Sequence, residues 1–180
     1  MRSALAALAL TVVLAVPGPA AAQSAPSSLE IRAGVLAHDV PDLWAGFNLE
    51  NGVDINAELL FGRGLTVLGG TLRPALGASV NTEGYTSRLY LDARWEIEFQ
   101  RALFFGFGLG AAVHDGLLDP TEPDRKALGS RVLFHIPLEL GVRLDAHNSV
   151  SVYFEHTSNA NLARYNEGLD AIGVRYGYRF

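Results

Sequence analysis

The 180-residue chain has no cysteine, a single lysine (Lys126) and only 18% charged residues. Without thiols, a disulfide scaffold and any thiolate-bound metal are excluded. Fourteen basic side chains are outnumbered by 19 acidic ones, and a net charge of −5 provides no general attraction to a phosphate backbone, which argues against nucleic-acid binding. Long apolar runs are scarce as well: beyond the N-terminal stretch, no segment reaches the length of a membrane-spanning helix. What the chain does have is 49% apolar residues and 19 glycines, too apolar a composition for a disordered polyelectrolyte. Its length suits about one domain.

Residues 1–22 read as a secretory signal peptide. Arg2 is their only charge, the segment Ala4 to Val16 is apolar, Pro17-Gly18-Pro19 interrupts it, and the small residues Ala20 and Ala22 suit cleavage before Gln23. The apolar stretch falls short of the roughly 20 residues of a spanning helix, which separates it from an anchor. Residues 23–180 are then expected to form one domain.

From residue 29 onward the hydrophobic pattern repeats every two residues. In segment 86–99, Leu89, Leu91, Ala93, Trp95 and Ile97 alternate with Arg88, Tyr90, Asp92, Arg94 and Glu96. Only a β-strand sorts these sets onto opposite faces. Segments 102–114, 131–144 and the last one, through Ile172, Val174, Tyr176, Tyr178 and Phe180, alternate likewise, and weaker candidates lie at 29–38, 52–61, 72–81 and 149–157. Eight long alternating strands behind an export signal predict an all-β fold, an eight-stranded antiparallel transmembrane β-barrel of the outer membrane. The polar and glycine face would line the interior, where charges can pair, and the apolar face would meet lipid. Short connections near 100–101 and 145–148 alternate with longer ones at 39–51 and 115–130, the asymmetry of periplasmic turns and outside loops. The connection Gly62 to Gly70 is too long for that scheme. A terminal Phe180 on an alternating strand resembles the signal read by barrel-assembly machinery. A soluble barrel or sandwich would alternate too, with its apolar face inward.

One stretch carries chemistry. His156 and Ser158 stand two apart, so on a strand they share a face about 6–7 Å apart at Cα, within reach of an imidazole–hydroxyl hydrogen bond. If Phe154 pairs with Ile172 on the final strand, His156 falls opposite Asp170, with Cβ atoms about 4.5–5.5 Å apart. Polar groups on a lipid-facing wall are costly, so a nucleophile, base and acid gathered there point to a substrate arriving through the membrane plane. Such a triad suits ester hydrolysis.

Here the sequence resembles the PagL-type lipid A 3-O-deacylases, also called acyloxyacyl hydrolases. The matching residues are His156-Thr157-Ser158-Asn159-Ala160 and Asn166-Glu167-Gly168-Leu169-Asp170, followed by an alternating strand with an aromatic end. The resemblance implies an eight-stranded outer-membrane barrel with its active site on the outer surface, acting without a cofactor on lipid A of lipopolysaccharide. It implies Ser158 as nucleophile, His156 as base and Asp170 as orienting acid. Asp170 stands where the family has Glu, one methylene longer, and Glu167 is the alternative acid. Asn159 and Asn166 are candidates for oxyanion support, Asn159 equally for shaping the loop. A non-catalytic structural or adhesive barrel is the competing reading.

Other residues carry less. His114, His135 and His147 lack a ligand spacing, and His38-Asp39 alone is no metal site, so no metal is assigned. Arg125, Lys126, Arg131 and Arg164 fall in or beside outward loops as solvated charge or as partners for lipid A phosphates. Leu43, Trp44 and Phe47 suit the membrane interface or simple packing.

Overall fold

The computed structural model describes residues 29–62, 64–99 and 102–180. The signal-peptide reading of 1–22 and the Gln100-Arg101 turn lie outside the described residues. Alternation becomes strand throughout: β1 (Glu30–Ala37), β2 (Val53–Leu60), β3 (Leu65–Val67), β4 (Gly70–Asn81), β5 (Arg88–Glu98), β6 (Leu103–His114), β7 (Val132–Arg143), β8 (Asn148–Ser158) and β9 (Leu169–Arg179). The antiparallel order β2-β1-β9-β8-β7-β6-β5-β4 is closed by pairing of β2 with β4, giving a barrel of eight long strands without a free edge. β3 was not anticipated. It folds back on β4, Leu65 opposite Leu72, which is why the Gly62–Gly70 connection is longer than a turn.

The two faces separate as the alternation requires. On β5, Arg88, Tyr90, Asp92, Arg94 and Glu96 are buried within the ring, and Leu89 and Leu91 project outward. An apolar outer wall around a charged centre is a barrel built for lipid, the reverse of a soluble one.

The interior is filled with paired charge. Glu139 accepts hydrogen bonds from Arg32 (2.5 Å), Arg94 (2.6 Å) and Arg175 (2.6 Å), which come from three other strands, and from Ser151. Towards the long-loop end, Glu155 accepts from Arg88 (2.7 Å) and Ser79 (2.7 Å), and His135 bridges Glu155 to Asp92. The strand glycines of β6 make room for these long side chains: a methyl group at Gly108 would lie 2.8 Å from Arg94 Cδ.

Four connections crowd one end: L1 (38–52), L2 (82–87), L3 (115–131) and L4 (159–168). β1 stops pairing with β9 at Ala37–Ile172, leaving the first residues of β9, 169–171, to be covered by L1.

Candidate active site

β8 and β9 bring His156 opposite Asp170 and Phe154 opposite Ile172. His156 Nδ1 lies 2.6 Å from Asp170 Oδ1, and because a carboxylate can only accept, Nδ1 is the donor. The other nitrogen, Nε2, is left to accept from the Ser158 hydroxyl at 2.9 Å. The shorter aspartate therefore reaches the imidazole directly.

Although the site stands on the outer wall, it is covered. His156 is 4% exposed and Asp170 fully buried, because L1 folds down over them. Val40 N–H donates to the Asp170 carbonyl (2.9 Å), Ala45 N–H donates to Asp170 Oδ2 (2.6 Å), and the Trp44 indole stacks on the imidazole, centroids 4.4 Å apart and planes 13° from parallel. Trp44 nevertheless keeps 59% of its surface, with Leu43 and Phe47 also exposed beside it.

L4 follows Ser158 with a tight turn. Ala160 and Asn161 both take positive φ (53° and 61°), and Leu162 N–H donates to Asn159 C=O. This is the two-residue geometry that matches strand twist. Gly168 returns the chain at φ 64°, where a side chain would be strained, and a methyl there would sit 3.4 Å from His156 Cε1.

The expected oxyanion residues divide. The Asn159 side-chain amide donates to Leu128 C=O (2.8 Å) and Tyr165 C=O (2.5 Å), and its backbone N–H to Asn166 Oδ1 (2.8 Å), so its contacts are those of a loop tie. Asn166 borders the cleft; its Nδ2 donates one bond, to Asn161 Oδ1, and keeps a second hydrogen. Glu167 accepts from Ala127 N–H (2.6 Å), a contact that joins L4 to L3 and not to His156.

Ser158 opens into a cleft of about 530 Å³ walled by Trp44, Leu109, Phe134, Ile136 and the L4 turn. Leu109, Phe134 and Ile136 belong to the lipid-facing sets of β6 and β7, so the cleft opens sideways. Phe134 also lines a second recess of about 250 Å³, with Val132, Leu133 and Leu162.

L1 is clamped from inside by groups whose charge the sequence left unplaced. Lys126, expected as solvated loop charge, is fully buried. Its Nζ lies 3.0 Å from Asp39 Oδ1 and donates to the Phe47 carbonyl. Asp39 Oδ2 accepts from the amides of Leu49 and Glu50. Arg125 lies near Glu50, Arg131 donates to Gly116 C=O, and Arg164 stays exposed over Tyr165. Among the described residues no cluster of His and carboxylates is arranged for a metal ion.

Glu50 is the centre of the clamp. It accepts from His38 Nε2 (3.0 Å), Thr86 N–H (2.9 Å), Thr86 Oγ1 (2.9 Å) and Lys126 N–H (3.0 Å). Burial alone would raise its pKa, but these donors outweigh burial and hold it at about 2. For His38, burial works against the charged form and so does Arg88, yet Asp54 on Nδ1 and Glu50 on Nε2 raise its pKa above the ordinary value. A lowered acid stabilises the clamp above its ordinary 4.5 and stops doing so as pH falls through about 2; a raised histidine stabilises it below its ordinary 6.5 and stops as pH rises through the raised value. L1 should thus be held most firmly between pH 4.5 and 6.5. Amide hydrogen exchange over 38–52, corrected for intrinsic rates, should show protection falling on the alkaline side, and His38→Gln should flatten that fall.

The comparisons bear on this site. Residues 66–179, which include β4 to β9 and the whole His156–Asp170 region, match the family model described as lipid A 3-O-deacylase (PagL). The chain belongs to the PagL family. Membership makes the protein an ester hydrolase of the outer membrane. The crystal structure of the outer membrane enzyme PagL is similar with a TM-score of 0.62 at 20% identity, covering 82% of this chain and 97% of that one. A de novo designed transmembrane β-barrel is similar with a TM-score of 0.55 at 12% identity, covering 86% and 97%. At these identities the likeness is one of fold. No curated protein sequence matches.

Proposed function

We propose that this PagL-family protein hydrolyses the 3-O-linked acyl ester of lipid A in the outer leaflet, with Ser158 as nucleophile, His156 as base and Asp170 as orienting acid. The observation that carries the reading is the Asp170–His156–Ser158 hydrogen-bond chain, 2.6 and 2.9 Å, at the mouth of a cleft that opens sideways to lipid. A lipid ester can approach such a site without leaving its leaflet, its acyl chain lying along Leu109, Phe134 and Ile136.

Ser158 Oγ attacks the ester carbonyl and passes its proton to His156 Nε2. The resulting oxyanion is assigned to the second Asn166 Nδ2 hydrogen, on a side chain that lines the same cleft as Ser158 and that Asn159 N–H steadies through Asn166 Oδ1. As the ester C–O bond breaks, His156 gives that proton to the departing 3-oxygen of the sugar, which leaves as a hydroxyl, and an acyl-serine remains. Water, deprotonated by the same imidazole, releases the fatty acid and restores Ser158. Asp170 keeps Nδ1 protonated throughout and stabilises the imidazolium.

Mass spectrometry of lipid A incubated in detergent with the refolded protein should show loss of one hydroxyacyl chain. A lipid phosphonate should label the peptide holding Ser158. Unchanged lipid A from a folded barrel would sink the reading in favour of a structural barrel or another ester.

A further inference from the structure

We infer that Trp44, held in L1, is a positioning residue for the proposed reaction: it fixes the plane of the His156 imidazole and stabilises the imidazolium formed when Ser158 gives up its proton. The inference rests on the triad reading above.

β8 and β9 alone leave the imidazole loosely constrained. One edge of the ring is fixed by Asp170 and Ser158, but rotation about the Nδ1···Oδ1 bond would tilt Nε2 off the hydroxyl. On the strands, Ile136 of β7 stands opposite His156 on one side and Asp170 of β9 on the other, and β1 has already parted from β9 at Ala37–Ile172, so L1 covers this end of β9. From L1, Trp44 stacks on the ring. A near-parallel indole 4.4 Å away leaves the ring one plane, the plane in which Nε2 points at Ser158 Oγ. The opposite constraint falls on the acid: Ala45 N–H holds Asp170 Oδ2 while His156 holds Oδ1, so the carboxylate cannot turn. One dipeptide of L1 thereby orients two members of a triad more than a hundred residues away in sequence.

The chemistry adds a second effect. The face of an indole attracts a cation, and the imidazole is a full cation only after it has taken the serine proton. The stack is therefore stronger in the transition state than with bound substrate, and such an interaction raises kcat without tightening KM. A residue that merely filled space, or one that merely bound substrate, would not have this signature. L1 is clamped by Glu50, His38 and Lys126 at points away from Trp44, so truncating the indole leaves the loop's anchors in place.

Trp44→Ala, Trp44→Leu and Trp44→Phe form the test, with initial rates on lipid A in mixed micelles. Trp44→Ala should lower kcat about tenfold with KM within about twofold of the parent. Trp44→Phe, which keeps an aromatic face, should recover most of the loss, and Trp44→Leu, of similar bulk, should not. Leucine as good as phenylalanine, or a loss confined to KM, would overturn the inference. A second measurement is independent of turnover. In a Trp95→Phe background, Trp44 is the only tryptophan. Imidazole in contact quenches indole emission, more so when protonated, so His156→Asn should brighten Trp44. Unchanged emission overturns the stack; brightening on His156→Asn, with lipid A left intact by the protein that retains His156, would leave the stack standing and remove the esterase reading.

Discussion

Ser158→Ala should all but abolish deacylation, with kcat falling by about 10³ to 10⁶ while the barrel stays closed. The serine Oγ is the only atom of the chain proposed to bond to the acyl carbon, and alanine leaves His156 Nε2 with no hydroxyl to deprotonate. Asp170→Asn should cost about 10⁴ in kcat, because an amide can offer N–H to Nδ1, which turns the imidazole to the tautomer whose Nε2 carries the proton. Asp170→Glu is the milder change, since it keeps the acceptor and only lengthens its reach. The double variant Ser158→Ala with Asp170→Asn should be no slower than Ser158→Ala alone, since groups that act as a unit are far from additive. Multiplicative losses in a lipid A time course would mean that the two residues do not share one reaction.

The largest effect on stability is expected far from that chemistry. Glu139→Gln keeps the shape of the side chain but removes the negative charge that faces Arg32, Arg94 and Arg175 at 2.5–2.6 Å. Three buried guanidinium groups would then share less than their complement of countercharge. Breaking a buried ion pair from one side costs about 3–5 kcal/mol, because the surviving charge stays desolvated. The thermal or guanidinium midpoint in detergent, read from the gel shift of the closed barrel, should fall accordingly. Deacylation measured well below the new midpoint should be nearly unchanged, because Glu139 lies inside the ring and Ser158 outside it.

The barrel was legible because alternation is local and strict. Leu89 to Ile97 against Arg88 to Glu96 sorts into two faces whatever the neighbouring strands are, and the same parity placed His156 and Ser158 together. Pairing of His156 with Asp170 required a register, and the Phe154–Ile172 alignment supplied it. What escaped was everything contributed by loops. β3 is three residues long, too short for a pattern. The Ala45 contact is a backbone amide, and no side-chain type announces it. Trp44 offered a choice between membrane interface and packing, and the choice turns on where L1 comes to rest. Lys126 gave the plainest missed signal, as the lone lysine of an arginine-rich chain, yet loop charge is usually solvated and nothing nearby in sequence pointed to Asp39.

The charged interior also bears on the order of events in assembly. β5 carries Arg88 and Arg94, but their countercharges stand on β2, β7 and β8; Arg32 on β1 answers to Glu139, 107 residues away. A β4–β5 hairpin entering hydrocarbon ahead of the rest would carry Arg88 and Arg94 without these partners, at about 2–4 kcal/mol for a charge near the midplane, and Arg32 on β1 would have only its own-strand Glu30. The cost disappears only when the ring is nearly shut and opposite walls face each other. Such a sequence of strands disfavours stepwise insertion and favours curling up first, with the bilayer closing around a cylinder whose charges have already met.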